Sequence, residues 1–159
     1  MKPLLPGVVL AALTVTALAG CTAGTADAGS PAPSPSAARD ADTDGTMPSG
    51  CPTGSPPPLP KDFPADLPVP DGAVVTSVEH RSGGRLVVAT VVRGGFDVAL
   101  AFMQQRLPKA GYTLKEGEVE EDDAESDFSS PTVEGRWTLR KMPDCEGGVY
   151  LTYLTAATS

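Results

Sequence analysis

The sequence predicts an α+β domain, a two-layer β-β-α-β-β-β sandwich with one helix packed on one face of an antiparallel sheet. Three observations lead there. Val133–Lys141 alternates cleanly, placing Val133, Gly135, Trp137 and Leu139 on one face and Glu134, Arg136, Thr138 and Arg140 on the other. Two valine-rich segments flank Ser82-Gly83-Gly84, a hairpin signal. A single amphipathic stripe of helical period follows them, and no second one does.

The first predicted strand covers residues 73–81, with Val74, Val75 and Val78. The second, Arg85–Arg93, contains Leu86-Val87-Val88-Ala89-Thr90-Val91-Val92, an uncharged run that suits a central strand covered on both faces. The predicted helix spans residues 97–109, with Asp97 as its N-cap after Gly94-Gly95. Phe96, Ala99, Leu100, Met103 and Leu107 share its apolar stripe, Gln104 and Gln105 lie off it, and Gly111 stops it. A third strand is expected over residues 112–119, a fourth at Val133–Lys141 and a last one over 149–155 after Gly147-Gly148. The helix needs an apolar surface to cover, so Trp137 and Leu139 are expected beneath it, and Arg136, Thr138 and Arg140 face outward.

Three regions precede and include this domain. Residues 1–20 have a basic start (Lys2), an apolar stretch and small residues before Cys21. That stretch is interrupted by Pro6 and Gly7 and falls short of the ~20 apolar residues of a spanning helix. Residues 21–58 hold mostly Ala, Gly, Ser, Thr, Pro and Asp, with Met47 the only large apolar side chain. Such a composition reads as a disordered tether reaching roughly 30–37 Å. Residues 59–159 form the domain, entered by the Pro-rich arm LPKDFPADLPVP, whose Phe63, Leu67 and Val69 are spaced to press on a surface.

Leu18-Ala19-Gly20-Cys21 resembles the lipobox of bacterial lipoproteins. That resemblance implies cleavage before Cys21, a diacylglycerol thioether on its sulfur and an acylated amino group. Several acyl chains anchor firmly, at about 0.8 kcal/mol per buried CH₂. The chain has no Ile and no Asn, both with AT-rich codons, which points to a GC-rich genome. With its Pro-rich arm, its Ala110-Gly111-Tyr112 helix end and its Gly135-Arg136-Trp137 strand, it is similar to small actinobacterial lipoproteins of unassigned function. The implied location is the outer leaflet of the cytoplasmic membrane facing the cell wall, or the outer membrane in a diderm source.

Lipidation of Cys21 leaves Cys51 and Cys145 in an oxidising compartment, where a disulfide is the default and free or intermolecular thiols are the alternative. The net charge of −8 becomes −9 once Lys2 leaves with the signal. That balance argues against nucleic acid as a partner, and against flat electrostatic contact with anionic lipid.

Asp40, Asp42, Asp44 and Gly45 have the spacing that opens a calcium loop, but its twelfth position is Cys51 where a bidentate Glu belongs. An acidic tether is the simpler reading. Between Glu116 and Asp127, eight of twelve residues are carboxylates. Such a run is ordinarily a solvated hairpin loop, and as a divalent-cation site it would use Glu120, Glu121, Asp122 and Asp123. His80 is the one histidine, too few for a zinc site or a supported triad. Arg136, Thr138 and Arg140, aligned with Thr152 or Tyr150 of the next strand, can grip a carboxylate or phosphate by paired hydrogen bonds. Against this stands a plain wet face, its arginines paired with Glu134 or the acidic hairpin. No catalytic residue and no cofactor is expected. The expected function is a membrane-anchored, non-catalytic binding or interaction module of the envelope, with an unknown envelope protein or small ligand as partner. The alternative is a divalent-cation-binding or sensing lipoprotein using the 116–127 hairpin; a small envelope enzyme comes last.

Overall fold

Strand β2 (Arg85–Arg93) is an interior strand of the sheet. In the computed structural model, which describes residues 45–158, its segment Leu86–Val92 is buried throughout. The expected signal sequence, Cys21 and Asp40, Asp42 and Asp44 lie outside the described residues. Leu86, Val88 and Val92 enter one apolar cluster and Ala89 and Val91 another, so the uncharged run is covered on both faces as its composition requires.

The other elements are β1 (Val74–Arg81), α1 (Phe96–Lys109), β3 (Thr113–Val119), β4 (Asp123–Ser129), β5 (Val133–Lys141) and β6 (Gly148–Ala157). All six strands form one antiparallel sheet in the order β1-β2-β6-β5-β4-β3. Helix α1 carries the chain from the interior strand β2 to the far edge. From β3 the chain then returns strand by strand until β6 closes against β2.

The α+β class and the single helix hold, but the strand count was one short. The acidic stretch expected to protrude as a loop contains β4, in which Ala124, Ser126 and Phe128 are buried and Asp123, Glu125, Asp127 and Ser129 are half-buried. Alternation of period two is present there. Two of the three inward residues are small or polar, so it does not read as a hydrophobic pattern.

Helix α1 starts one residue earlier than expected. Gly95 occupies the N-cap with φ 91°, makes no side-chain cap, and leaves Asp97 in the first turn. There its carboxylate still favours the positive end of the helix dipole. At the other end Tyr112 N–H donates to Leu107 O and Gly111 N–H to Pro108 O. With Gly111 at φ 91° this is a Schellman stop, a conformation that suits a residue without a Cβ. Phe96, Ala99, Met103 and Leu107 are buried as predicted. Leu100 is only partly buried at the edge of the cluster, because the stripe is centred on Met103.

The Pro-rich arm packs into the same cluster through Phe63 and Leu67. Two tyrosine hydroxyls tie the arm down, one at its backbone and one at a side chain. Tyr153 donates its hydroxyl to Pro68 O at 2.8 Å and meets the Phe63 ring edge-on, while Tyr112 donates to Asp66 Oδ1 at 2.9 Å. Burial pushes both hydroxyl pKa values up, and Asp66 adds to the rise at Tyr112.

The opposite face is not uniformly wet. Cys51 and Cys145 are joined by a disulfide, the pairing expected from the sequence. It brings the stretch after Gly45 across the β2–β6 half of the outer face, over Ala89, Val91, Met142 and Tyr150. Tyr150 Oη donates to Thr46 O, and a Cβ on Gly45 would stand 2.8 Å from that hydroxyl. Composition alone assigns these residues to the tether; the cystine and the glycine contact place them on the domain.

Candidate functional site

The β3–β4 hairpin divides its carboxylates into two kinds. Its turn is tight, with Glu120 N–H donating to Asp123 O, and β4 lies directly beside β5. Register then sets Asp123 opposite Arg140 and Asp127 opposite Arg136, with Glu125 opposite Thr138. Arg136 grips Asp127 through Nε at 2.7 Å and Nη2 at 3.3 Å, and reaches Glu125 through Nη1 at 3.2 Å. Arg140 Nε donates to Asp123 Oδ2 at 2.7 Å, and Lys141 Nζ meets Asp122 Oδ1 at 2.8 Å. The Asp122 carboxylate holds the Lys141 ammonium above the ordinary lysine value. Forked, half-buried pairs joined in a network stabilise more than isolated exposed ones, which contribute about 0–1 kcal/mol each.

The arginines therefore do point outward from the helix, as expected, but their forks are occupied by the neighbouring strand. Thr138 is 5 % exposed and lies opposite the fully buried Thr152, so the three residues do not form an open row. Asp122 and Asp123, two of the four carboxylates suggested for a cation, are held by Lys141 and Arg140. Among the described residues no group of three or more His, Cys, Asp or Glu is placed to hold a metal ion. His80 is exposed, and its Nε2 lies 2.9 Å from Asp62 Oδ2 of the arm.

Glu116, Glu118, Glu120 and Glu121 differ from the rest. None of them has an ion-pair partner among the described residues. They belong to β3 and its turn, at the edge of the sheet, where every residue of β3 except Leu114 is exposed. The acidic run thus has an ion-paired half, Asp122 to Asp127, and a half without ion-pair partners among the described residues, Glu116 to Glu121, of which Glu121 still attracts the Lys141 ammonium.

A second feature adjoins this edge on the helix side. Gly117, Ser126, Trp137 and Tyr153 form one row across β3, β4, β5 and β6. The row narrows toward the edge, since a glycine and a serine stand where larger side chains would fill the space under α1. Gly117 is required by the bulge in β3, because a Cβ there would collide with Glu125 O and Ser126. What remains is a notch of about 200 Å³, lined by Gln104, Leu114, Gly117, Val119, Ser126 and Trp137. Lys115 also borders it. Trp137 is 1 % exposed, and its Nε1–H has no hydrogen-bond partner. An indole N–H left so inside a protein costs about 1–3 kcal/mol.

No family model, curated protein or solved structure matches the chain. Sequence reasoning found the acidic run but not its division, which depends on β4 lying between β3 and the cations of β5. It missed the notch altogether. The only signal for it is a glycine and a serine that become neighbours of the lone tryptophan once the register is known.

Proposed function

We propose that the protein is a lipid-anchored, non-catalytic binding module of the cell envelope that presents the acidic β3 edge to a basic partner. The observation that carries this reading is the unequal neutralisation of the hairpin. Four carboxylates of β4 and its turn are met by Arg136, Arg140 and Lys141, whereas Glu116, Glu118, Glu120 and Glu121 have no such partner among the described residues. Uncompensated like charges on an edge strand repel a second copy of the same edge and attract a basic surface.

Replacing these four glutamates by glutamine tests the surface. The domain should melt within about 0.5 kcal/mol of the wild type, since the side chains are exposed. Capture of its partner from detergent-solubilised membranes should be lost, and wild-type capture should weaken with salt. A variant carrying Arg136→Ala and Arg140→Ala is the comparison. Should that variant alone lose the partner, the recognition surface is the arginine face and not the β3 edge.

The anchor rests on Leu18-Ala19-Gly20-Cys21. Cys21→Ser is expected to abolish metabolic lipid labelling and to release the protein or leave an uncut precursor. Undiminished labelling of that variant would exclude the lipoprotein reading.

A further inference from the structure

We propose that residues 40–44 dock on the outer face of β1 and β2, with Ala41 and Thr43 on Val87 and the three aspartates on Arg81 and Arg85. The docking does not depend on the acidic β3 edge.

Three contacts fix the course of the chain where it reaches the sheet. Cys51 is bonded to Cys145 in the β5–β6 connection, Thr46 O accepts the Tyr150 hydroxyl, and Gly45 lies over Ser77 and Ala89. Tyr150 pairs with Val91, and Ser77 with Ala89. Followed backwards from Cys51, the chain therefore runs from the Arg93 end of β2 toward its Arg85 end, and from β6 toward β1. The next pairs along that course on the same face are Glu79 with Val87 and Arg81 with Arg85. Ala89 to Arg85 is about 13 Å along a strand, and an extended segment from Gly45 to Ala41 covers the same distance.

Alternation sets which side chains face the sheet. A Cβ on Gly45 would meet Tyr150 Oη, Ser77 Oγ and Ala89 Cβ at 2.8, 3.4 and 3.6 Å, so the side-chain position of residue 45 points inward. Residues 45–48 form neither helix nor turn. With a period of two continued, Thr43 and Ala41 point inward and Asp44, Asp42 and Asp40 point away from the sheet. Small inward residues suit a chain lying close on Val87. Long arginine stems can rise past it and bring their guanidinium groups to the carboxylates.

Two observations at the destination fit this occupant. Val87 is fully buried on the outer face although it belongs to neither of the two apolar clusters, and beside it Glu79 is exposed and Leu154 only half-buried. A valine on an uncovered sheet face keeps its methyl groups in water. Arg81 and Arg85 stand directly opposite one another, an arrangement that is repulsive without negative charge beside it. Glu79 supplies one carboxylate, 3.2 Å from Arg81 Nη2, and the Arg81 side chain is only 21 % exposed although it ends a hairpin strand. Aspartates at every second position bring further negative charge within reach of both guanidinium groups.

The test uses the full chain with its disulfide intact, labelled for nuclear magnetic resonance on the methyl groups of alanine, threonine and valine. Nuclear Overhauser contacts are expected from Val87 to Ala41 and Thr43, and they should weaken as salt is raised. Replacing Asp40, Asp42 and Asp44 by asparagine, or Arg81 and Arg85 by glutamine, should each remove most of their intensity. Combining the two sets should remove no more than either alone. The methyl spectrum of the helix-side cluster should stay the same in every variant, which separates undocking from unfolding. Absence of any contact from Val87 to residues 41 and 43 in the wild type would overturn the proposal. Contacts that survive undiminished in the asparagine variant would overturn the pairing with Arg81 and Arg85.

Discussion

Met103→Asp is expected to abolish cooperative folding. Met103 is fully buried at the middle of α1, its Sδ 3.6 Å from the Tyr153 hydroxyl, among the apolar side chains of the helix-side cluster. A carboxylate there must be buried without a partner or taken up as the neutral acid, and either course is costly. A loss above about 4 kcal/mol belongs to this mechanism, against a total of about 5–15 kcal/mol for a domain. Gln104→Asp, one residue along, is the control, because that side chain is exposed. Thermal melting by circular dichroism should show a sharp transition for the control and none for Met103→Asp. Similar transitions for both would mean that the helix does not pack by this face.

Replacing Cys51 and Cys145 by serine is expected to lower the melting temperature by about 10 °C or more. The bridge spans a sequence separation of 94, and restricting so long a loop in the unfolded chain contributes about 4–5 kcal/mol in the chain-entropy account. Its loss has a second effect that chain entropy does not describe. The stretch after Gly45 would no longer be pinned over Ala89, Val91, Met142 and Tyr150, and that apolar patch would open to water. Binding of a hydrophobic dye should rise in the variant below its melting temperature. An unchanged melting temperature with no added dye binding would show that the stretch is held without the bridge.

The site was legible only in part. Acidic residues 116–127 stand out in any reading of the chain, and charge of one sign in a row ordinarily marks a solvated loop. Here the alternation Asp123, Glu125, Asp127 on one face and Ala124, Ser126, Phe128 on the other makes a strand. A strand can carry so many acids because the next one supplies Arg136 and Arg140 at matching positions. Neither segment states this alone. The outward direction of the arginines was readable from their period, but their occupancy was not, since a fork is filled by whatever strand lies beside it.

By itself the sequence determined what depends on local pattern. The covered central strand follows from the uncharged run Leu86–Val92, the helix and its stop from the Met103 stripe and Gly111, and the inner face of β5 from Trp137 and Leu139. The disulfide followed from cysteine number and the compartment implied by Leu18-Ala19-Gly20-Cys21. Only the tertiary structure decided the strand order, with β3 at the edge and β6 between β5 and β2. It alone laid the stretch after Gly45 on the outer face, split the acidic run into paired and unpaired halves, and left a notch beside Trp137. The reason is one of range. Period and turn chemistry act between residues a few positions apart, whereas ion pairs, cavities and strand neighbours depend on which distant segments the hydrophobic faces bring together.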